Sequence, residues 1–98
     1  MSEETYIYLI RPRRPGAGFI DSITTEEAET MEHHFAYLQG LQAENRLILA
    51  GPCLDGAFGV VILRAPSEEG ARVLMANDPA VRAGIMQPEL HRFRISLS

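Results

Sequence analysis

Cysteine is nearly absent from this chain, with Cys53 alone among 98 residues. A lone thiol cannot form an internal disulfide, and a reducing compartment is the simplest reading of such usage. Long apolar runs are missing too, since no stretch approaches the roughly 20 residues that cross a bilayer. The chain begins with the acidic Met1-Ser2-Glu3-Glu4, which lacks the pattern of a signal peptide. We expect a cytoplasmic protein with no membrane partner.

Positive charge is scarce, with 9 Lys and Arg against 13 Asp and Glu and a net charge of −4. This balance argues against nucleic acid or an anionic membrane as a partner. The three histidines and Cys53 show no short ligand spacing, which argues against a zinc site. Gly16 and Gly18 are not followed by Gly-Lys-Ser/Thr, so they do not form a phosphate loop.

The remaining composition is that of an ordinary globular protein, with 46% apolar and 22% charged residues. A chain of this length forms one domain, residues 1–98. β-Branched runs, capping residues and turn signals predict the elements in order. Strands are expected at 5–11, 46–54, 58–63 and 88–97, helices at 25–44 and 68–77, and a short helical turn from Pro79 to Gly84. The order β-α-β-β-α-β is that of an α+β, ferredoxin-like fold with a four-stranded antiparallel sheet.

The predicted strands are apolar on both faces, as in Tyr6-Ile7-Tyr8-Leu9-Ile10 and Val60-Val61-Ile62-Leu63. Two helices can cover only one face, and the other would be polar at every second residue if it met water. We therefore expect a homodimer in which two sheets pack face to face. A deeper monomeric core is the alternative.

Two neighbouring histidines on the first helix are separated by its geometry. With about 100° per residue and Phe35 at zero, His34 falls near −100°, at the edge of the stripe that contains Leu38, while His33 falls near 160°, toward solvent. His34 can therefore reach a pocket. It also fits a boundary histidine without a role, and Asp78 before Pro79 fits ordinary turn chemistry.

Other candidates for a site are less specific. Arg11, Arg13 and Arg14 could hold an anionic substrate at a pocket rim, or form a solvated loop. Tyr37 and Glu27 flank the same helix edge as His34. Cys53 has no evident base beside it, and His91 fits a packed or interfacial residue.

Four segments carry a resemblance to a known family. They are His34-Phe35-Ala36-Tyr37-Leu38, Leu47-Ile48-Leu49-Ala50-Gly51-Pro52, Asp55-Gly56, and Asn77-Asp78-Pro79 with Gly84 after it. In order and spacing the chain resembles the YCII-related family of the dimeric α+β barrel superfamily over about positions 5 to 97.

The resemblance implies a ferredoxin-like subunit, a homodimer through the sheets, and a cleft beside the first helix. It also implies a general acid/base pair that maps onto His34 and Asp78. The activity it implies is lyase-like or isomerase-like, on small acids or phenols that are often derived from rings. This chain departs from the shortest members in its longer loop, Pro12 to Ser22, which leaves pocket shape and substrate open.

We hypothesise an enzyme in which His34 is the base and Asp78 orients it, with no metal or organic cofactor required. Arg11, Tyr37, Gly51 and Pro52 are the candidate substrate-binding residues. One alternative is a non-catalytic protein that binds a small molecule; another is an interaction domain whose sheet face recruits a different partner.

Overall fold

The computed structural model describes residues 4–13 and 22–98. Within these residues the strands are β1 (Glu4–Pro12), β2 (Leu47–Pro52), β3 (Gly59–Ala65) and β4 (Met86–Arg92). They form one antiparallel sheet in the order β2-β3-β1-β4. The helices are α1 (Thr25–Ala43), α2 (Glu68–Ala76) and the short α3 (Pro79–Arg82). The first and third strands are central, so the predicted ferredoxin-like α+β fold is confirmed.

The helices begin where the capping residues predict. Thr24 and Glu27 form a capping box, in which the Glu27 N–H donates to Thr24 Oγ1 at 3.1 Å and the Thr24 N–H donates to Glu27 Oε1 at 3.0 Å. Ser67 caps α2 by accepting the Gly70 N–H at 3.0 Å. No helix among the described residues is both long enough and apolar enough to cross a bilayer.

The core lies between the helices and one face of the sheet. Tyr6, Tyr8 and Ile10 of β1 alternate inward, opposite Leu63, Val61 and Gly59 of β3. They pack against helical residues that include Leu38, Leu41, Ala71, Met75 and Ala80. A Cβ at Gly59 would lie 3.1 Å from Ile10 Cγ1, so a larger residue here would require a small shift of the Ile10 side chain.

The other face of the sheet carries two rows of cross-strand neighbours. One row is Leu49, Ile62, Ile7 and His91, and the next is Gly51, Val60, Leu9 and Glu89. We call these eight residues the open face. It is apolar across the central strands, as the two-sided apolar pattern predicts, and it is polar on β4.

The last strand is shorter than the sequence pattern suggests. We expected it to continue to Leu97, but β4 ends at Arg92, opposite Tyr6. The Phe93 N–H still donates to the Thr5 carbonyl at 3.0 Å. The alternating residues Phe93, Ile95 and Leu97 are exposed and lie outside the strand. At the other end Pro12, expected to follow β1, is its last residue and lies opposite Met86.

Candidate functional site

His34 and Asp78 meet in the protein interior. His34 lies on the sheet side of α1 and is buried, while Asp78 immediately precedes α3 and is fully buried. The distances from His34 Nδ1 to Asp78 Oδ1 and Oδ2 are 2.7 and 2.9 Å. The contact joins residues 44 positions apart. His33, the neighbour on α1, is exposed, as the helical geometry predicts.

Asp78 also caps a helix. Its Oδ1 accepts the Ala80 N–H at 2.9 Å, at the start of α3. Its Oδ2 accepts the phenol O–H of Tyr8 at 2.7 Å. One carboxylate thus both caps the turn and pairs with His34. The hydrogen bonds that it accepts offset the free-energy cost of its burial.

Tyr8 is a member of this network that the sequence reasoning missed. Its alternation along β1 marks it as a core residue, but its bond to Asp78 joins positions 70 apart, and no local pattern predicts such a contact. Burial and the neighbouring Asp78 carboxylate raise the pKa of Tyr8 far above its usual value. The phenol therefore keeps its proton and acts as a donor to Asp78.

This arrangement selects the tautomer of His34. A carboxylate can only accept, so Nδ1 carries the hydrogen and, in the neutral ring, Nε2 presents a lone pair. Every fully buried side-chain N or O of the described residues has a hydrogen-bond partner. Among these residues Nε2 has none, so it is accessible from outside the core. A histidine held this way can take up a proton at Nε2 while Asp78 stabilises the imidazolium that forms.

His34 lines a pocket of about 930 Å³ between α1 and the strands β2 and β3. Most of the lining is apolar, from residues such as Met31, Phe35, Leu38 and Val61. Polar side chains come from Gln39 and Gln42 of α1, from Cys53 and from His34 itself. Asp78 is not part of the lining, so His34 stands between the pocket and the buried carboxylate. The volume suits a small organic molecule.

Two of the four predicted substrate-binding residues lie at this pocket. Gly51 and Pro52, at the end of β2, form part of its lining. Arg11 does not; its guanidinium pairs with Glu89 at 2.5 Å and lies 5.5 Å from the centre of the Phe58 ring. Tyr37 also lies elsewhere, since its O–H donates to the Leu74 carbonyl at 2.6 Å. Burial, with a contribution from Asp78, raises the pKa of Tyr37 to about 12.

The other candidates are dispersed. Within residues 4–13 and 22–98 no group of three or more His, Cys, Asp and Glu side chains could hold a metal ion. Cys53 is a half-buried free thiol in the pocket lining. His91 is exposed on β4, where its Nε2 contacts Glu89. Arg13 donates its backbone N–H to Ile85, whereas Arg14 and most of the Pro12–Ser22 loop lie outside the described residues.

A family model described as the YCII-related domain matches residues 6–93, nearly the whole chain. The chain belongs to the YCII-related family. The match spans both halves of the His34–Asp78 pair and the segment that ends in Gly51 and Pro52.

Two known proteins are similar to this YCII-related chain. It is 31% identical over 67 residues to the uncharacterized protein YjpA of Bacillus subtilis (strain 168), covering 68% of this chain and 79% of YjpA. Its fold is similar to that of 5-chloro-2-hydroxyhydroquinone dehydrochlorinase (TftG) from Burkholderia phenoliruptrix AC1100, solved in complex with 2,5-dihydroxybenzoquinone. The TM-score is 0.67 with 23% identity, covering 91% of this chain and 93% of the other. At this identity the likeness establishes the shared fold.

Proposed function

We propose that this protein is a cofactor-independent enzyme of the lyase or isomerase kind, acting on a small, ring-derived organic molecule. His34 is its general base and acid, and Asp78 is the partner that orients His34. One observation carries the proposal. His34 Nδ1 is held by a buried carboxylate 2.7 Å away, while the same ring lines a pocket of about 930 Å³.

The chemistry that this arrangement supports is proton transfer at Nε2. The neutral imidazole removes a proton from a hydroxyl or carbon acid of the bound molecule, and the electron pair of the broken bond stays on the substrate. That pair can expel a leaving group, which is an elimination. It can instead shift within the molecule, which then recovers the proton from Nε2–H at another atom, completing an isomerisation. The Asp78 carboxylate stabilises the imidazolium in either case.

The dehydrochlorinase with the same fold supports the lyase side of the proposal. Loss of HCl from a chlorinated hydroquinone is an elimination, and it needs a base placed beside a bound ring. The pocket of this chain provides both parts, since His34 lies in a lining that is mostly apolar. We therefore take hydroxylated and halogenated rings as the first substrates to test.

The test is turnover of a series of chlorinated hydroquinones, followed by chloride release and by the absorbance of the products. In His34→Asn the amide nitrogen lies roughly where Nδ1 was and can still donate to Asp78, but the Nε2 base is gone. We expect kcat to fall by about 100-fold or more, as for loss of a general base. His33→Asn changes the exposed neighbour on α1 and should leave kcat unchanged.

The alternative is a non-catalytic protein that binds a small molecule in the same pocket, with His34 and Asp78 only shaping it. Binding without turnover of any compound in the series, in the native protein as in His34→Asn, would favour that alternative. Turnover that survives His34→Asn at the native rate would remove His34 from the mechanism.

We further propose that the protein is a homodimer through the open face. The centre of this face is apolar, and a second copy would bury its side chains, Ile7, Leu9, Val60 and Ile62.

The free thiol of Cys53 fits the reducing environment of the cytoplasm, where we expect this protein to act.

A further inference from the structure

The pocket that contains His34 has no aspartate, glutamate, lysine or arginine in its lining among the described residues. Its polar contacts come from two uncharged amides on neighbouring turns of α1, Gln39 and Gln42, and from Cys53 and His34. A carboxylate that entered this space would lose hydration and meet no permanent cation from residues 4–13 or 22–98 in compensation. The lining is therefore suited to an uncharged molecule.

A basic side chain beside the pocket, that of Arg11, is already engaged. The Arg11 guanidinium pairs with Glu89 at 2.5 Å, and Glu89 also contacts His91. Arg11 lies over the Phe58 ring, whose carbon framework belongs to the pocket lining. The charge of Arg11 is thus balanced outside the pocket.

The remaining electrostatics oppose an anion. The ionised Asp78 lies directly behind His34, so the pair carries one negative charge while the imidazole is neutral and able to act as a base. The whole chain carries a net charge of −4. An anion would be repelled by the state of His34 that the chemistry requires.

We infer that the pocket selects a ring compound that is uncharged when it binds, with Gln39 and Gln42 supplying the polar contacts that discriminate. An amide both donates and accepts, which matches the hydroxyl or carbonyl groups of a neutral phenol, quinol or quinone. The substrate becomes negative only when its proton moves to Nε2, and at that moment the imidazolium beside it is positive. The inference rests on the proposed function for this last step. Of the acids and phenols that the family resemblance implies, it selects the phenols.

Binding tests the inference without requiring turnover. We compare 4-hydroxybenzamide with 4-hydroxybenzoate, which have similar shapes and differ by one charge at neutral pH, by titration followed in ¹⁵N NMR spectra. We expect the amide to bind at least about tenfold more tightly than the carboxylate. The difference reflects the carboxylate's failure to form one charge-assisted hydrogen bond in the pocket. In His34→Asn the amide should still bind, so that loss of catalysis and loss of selectivity are separate results.

Two variants add the missing cation. Gln39→Arg and Gln42→Arg each place a guanidinium at the lining, on a helix that tolerates arginine well. Either should shift the ratio of affinities toward 4-hydroxybenzoate by about tenfold or more, because a guanidinium pairs strongly with a carboxylate. His33→Arg adds the same charge on the exposed side of α1 and should leave the ratio unchanged.

Equal or tighter binding of the carboxylate by the native protein would overturn the inference. So would the absence of any shift in the resonances of lining residues with the uncharged compound at millimolar concentration. An equal gain for carboxylate in His33→Arg would show that net charge, and not Gln39 or Gln42, sets the preference.

Discussion

At the scale of single residues, Asp78 combines the capping of α3 with the pairing to His34. It has no arginine partner among its hydrogen bonds; it accepts from the Tyr8 phenol, the Ala80 backbone and His34 Nδ1. Three donors satisfy the oxygens of this fully buried carboxylate, and its bond with His34 holds the hydrogen on Nδ1. We therefore propose that Tyr8 is a positioning residue, acting on His34 through Asp78.

Tyr8→Phe tests this positioning role. Removing the phenol oxygen leaves Asp78 Oδ2 without its shortest donor, which should lower the free energy of unfolding by about 1–3 kcal/mol. The variant should also loosen the selection of the His34 tautomer, seen as a change in the ¹⁵N shifts of the ring nitrogens, and should reduce kcat on any substrate that is found.

Tyr37→Phe is the matched control for this prediction. It removes the same atom from a tyrosine whose O–H donates to the Leu74 carbonyl instead of Asp78. It should cost stability and leave the His34 ring nitrogens unchanged. Identical ¹⁵N shifts of His34 in both variants and the native protein would reduce Tyr8 to a packing residue.

At the scale of elements, the pairing of β1 with β4 brings charged side chains together on the open face. Leu9 lies opposite Glu89 and Ile7 opposite His91, and Arg11 reaches Glu89 from the end of β1. The hydrogen bonds from His91 and Arg11 lower the pKa of Glu89 below its usual value. This cluster therefore links the two strands in a way that depends on pH.

Glu89→Gln tests whether the contribution of this cluster to stability depends on pH. Because the pKa of Glu89 is lower in the folded chain than in the unfolded one, its charge stabilises the fold above the ordinary carboxyl pKa. That stabilisation is lost as pH falls through the lowered folded value. We expect the variant to be less stable than the native protein near neutral pH, with the difference vanishing in acid, measured by urea unfolding at a series of pH values.

Glu32→Gln, an exposed glutamate on α1, controls for the loss of a negative charge and should show no such dependence. A difference between Glu89→Gln and the native protein that stays constant down to strongly acidic pH would contradict the linkage.

At the scale of the whole molecule, the two faces of the sheet differ in their exposure to solvent. The inner face is covered by helices, whereas Ile7 and Leu9 on the open face are half-buried and Leu49 is 52% exposed. Ile62 reaches 8% exposure because its cross-strand neighbours Ile7 and Leu49 flank it. A second copy that packs against this face would remove the remaining apolar surface from water.

Ile7→Glu tests the homodimer. The side chain lies on the open face and outside the pocket lining, so a glutamate there should convert a dimer into a monomer while leaving each subunit folded. Light scattering after size-exclusion chromatography gives the mass, and circular dichroism gives the fold. Val73→Glu places the same charge on the exposed side of α2 and should leave the mass unchanged. A native protein that is already monomeric would refute the proposed interface.

Local physical chemistry determined much of this protein from its sequence. The capping residues Thr24 and Ser67 mark the helix starts, the helical repeat turns His34 inward and His33 outward, and the alternation of β1 marks its core residues. Such features depend on a few neighbouring residues and their backbone geometry, so they can be interpreted before any fold is known.

Only the tertiary structure decided which side chains meet. Tyr8 and Asp78 are 70 positions apart, and their contact depends on how β1 and α3 pack. The tertiary packing also leaves Arg11 and Tyr37 outside the pocket and ends β4 at Arg92. Side-chain convergence and strand length depend on distant backbone segments, about which no local pattern carries information.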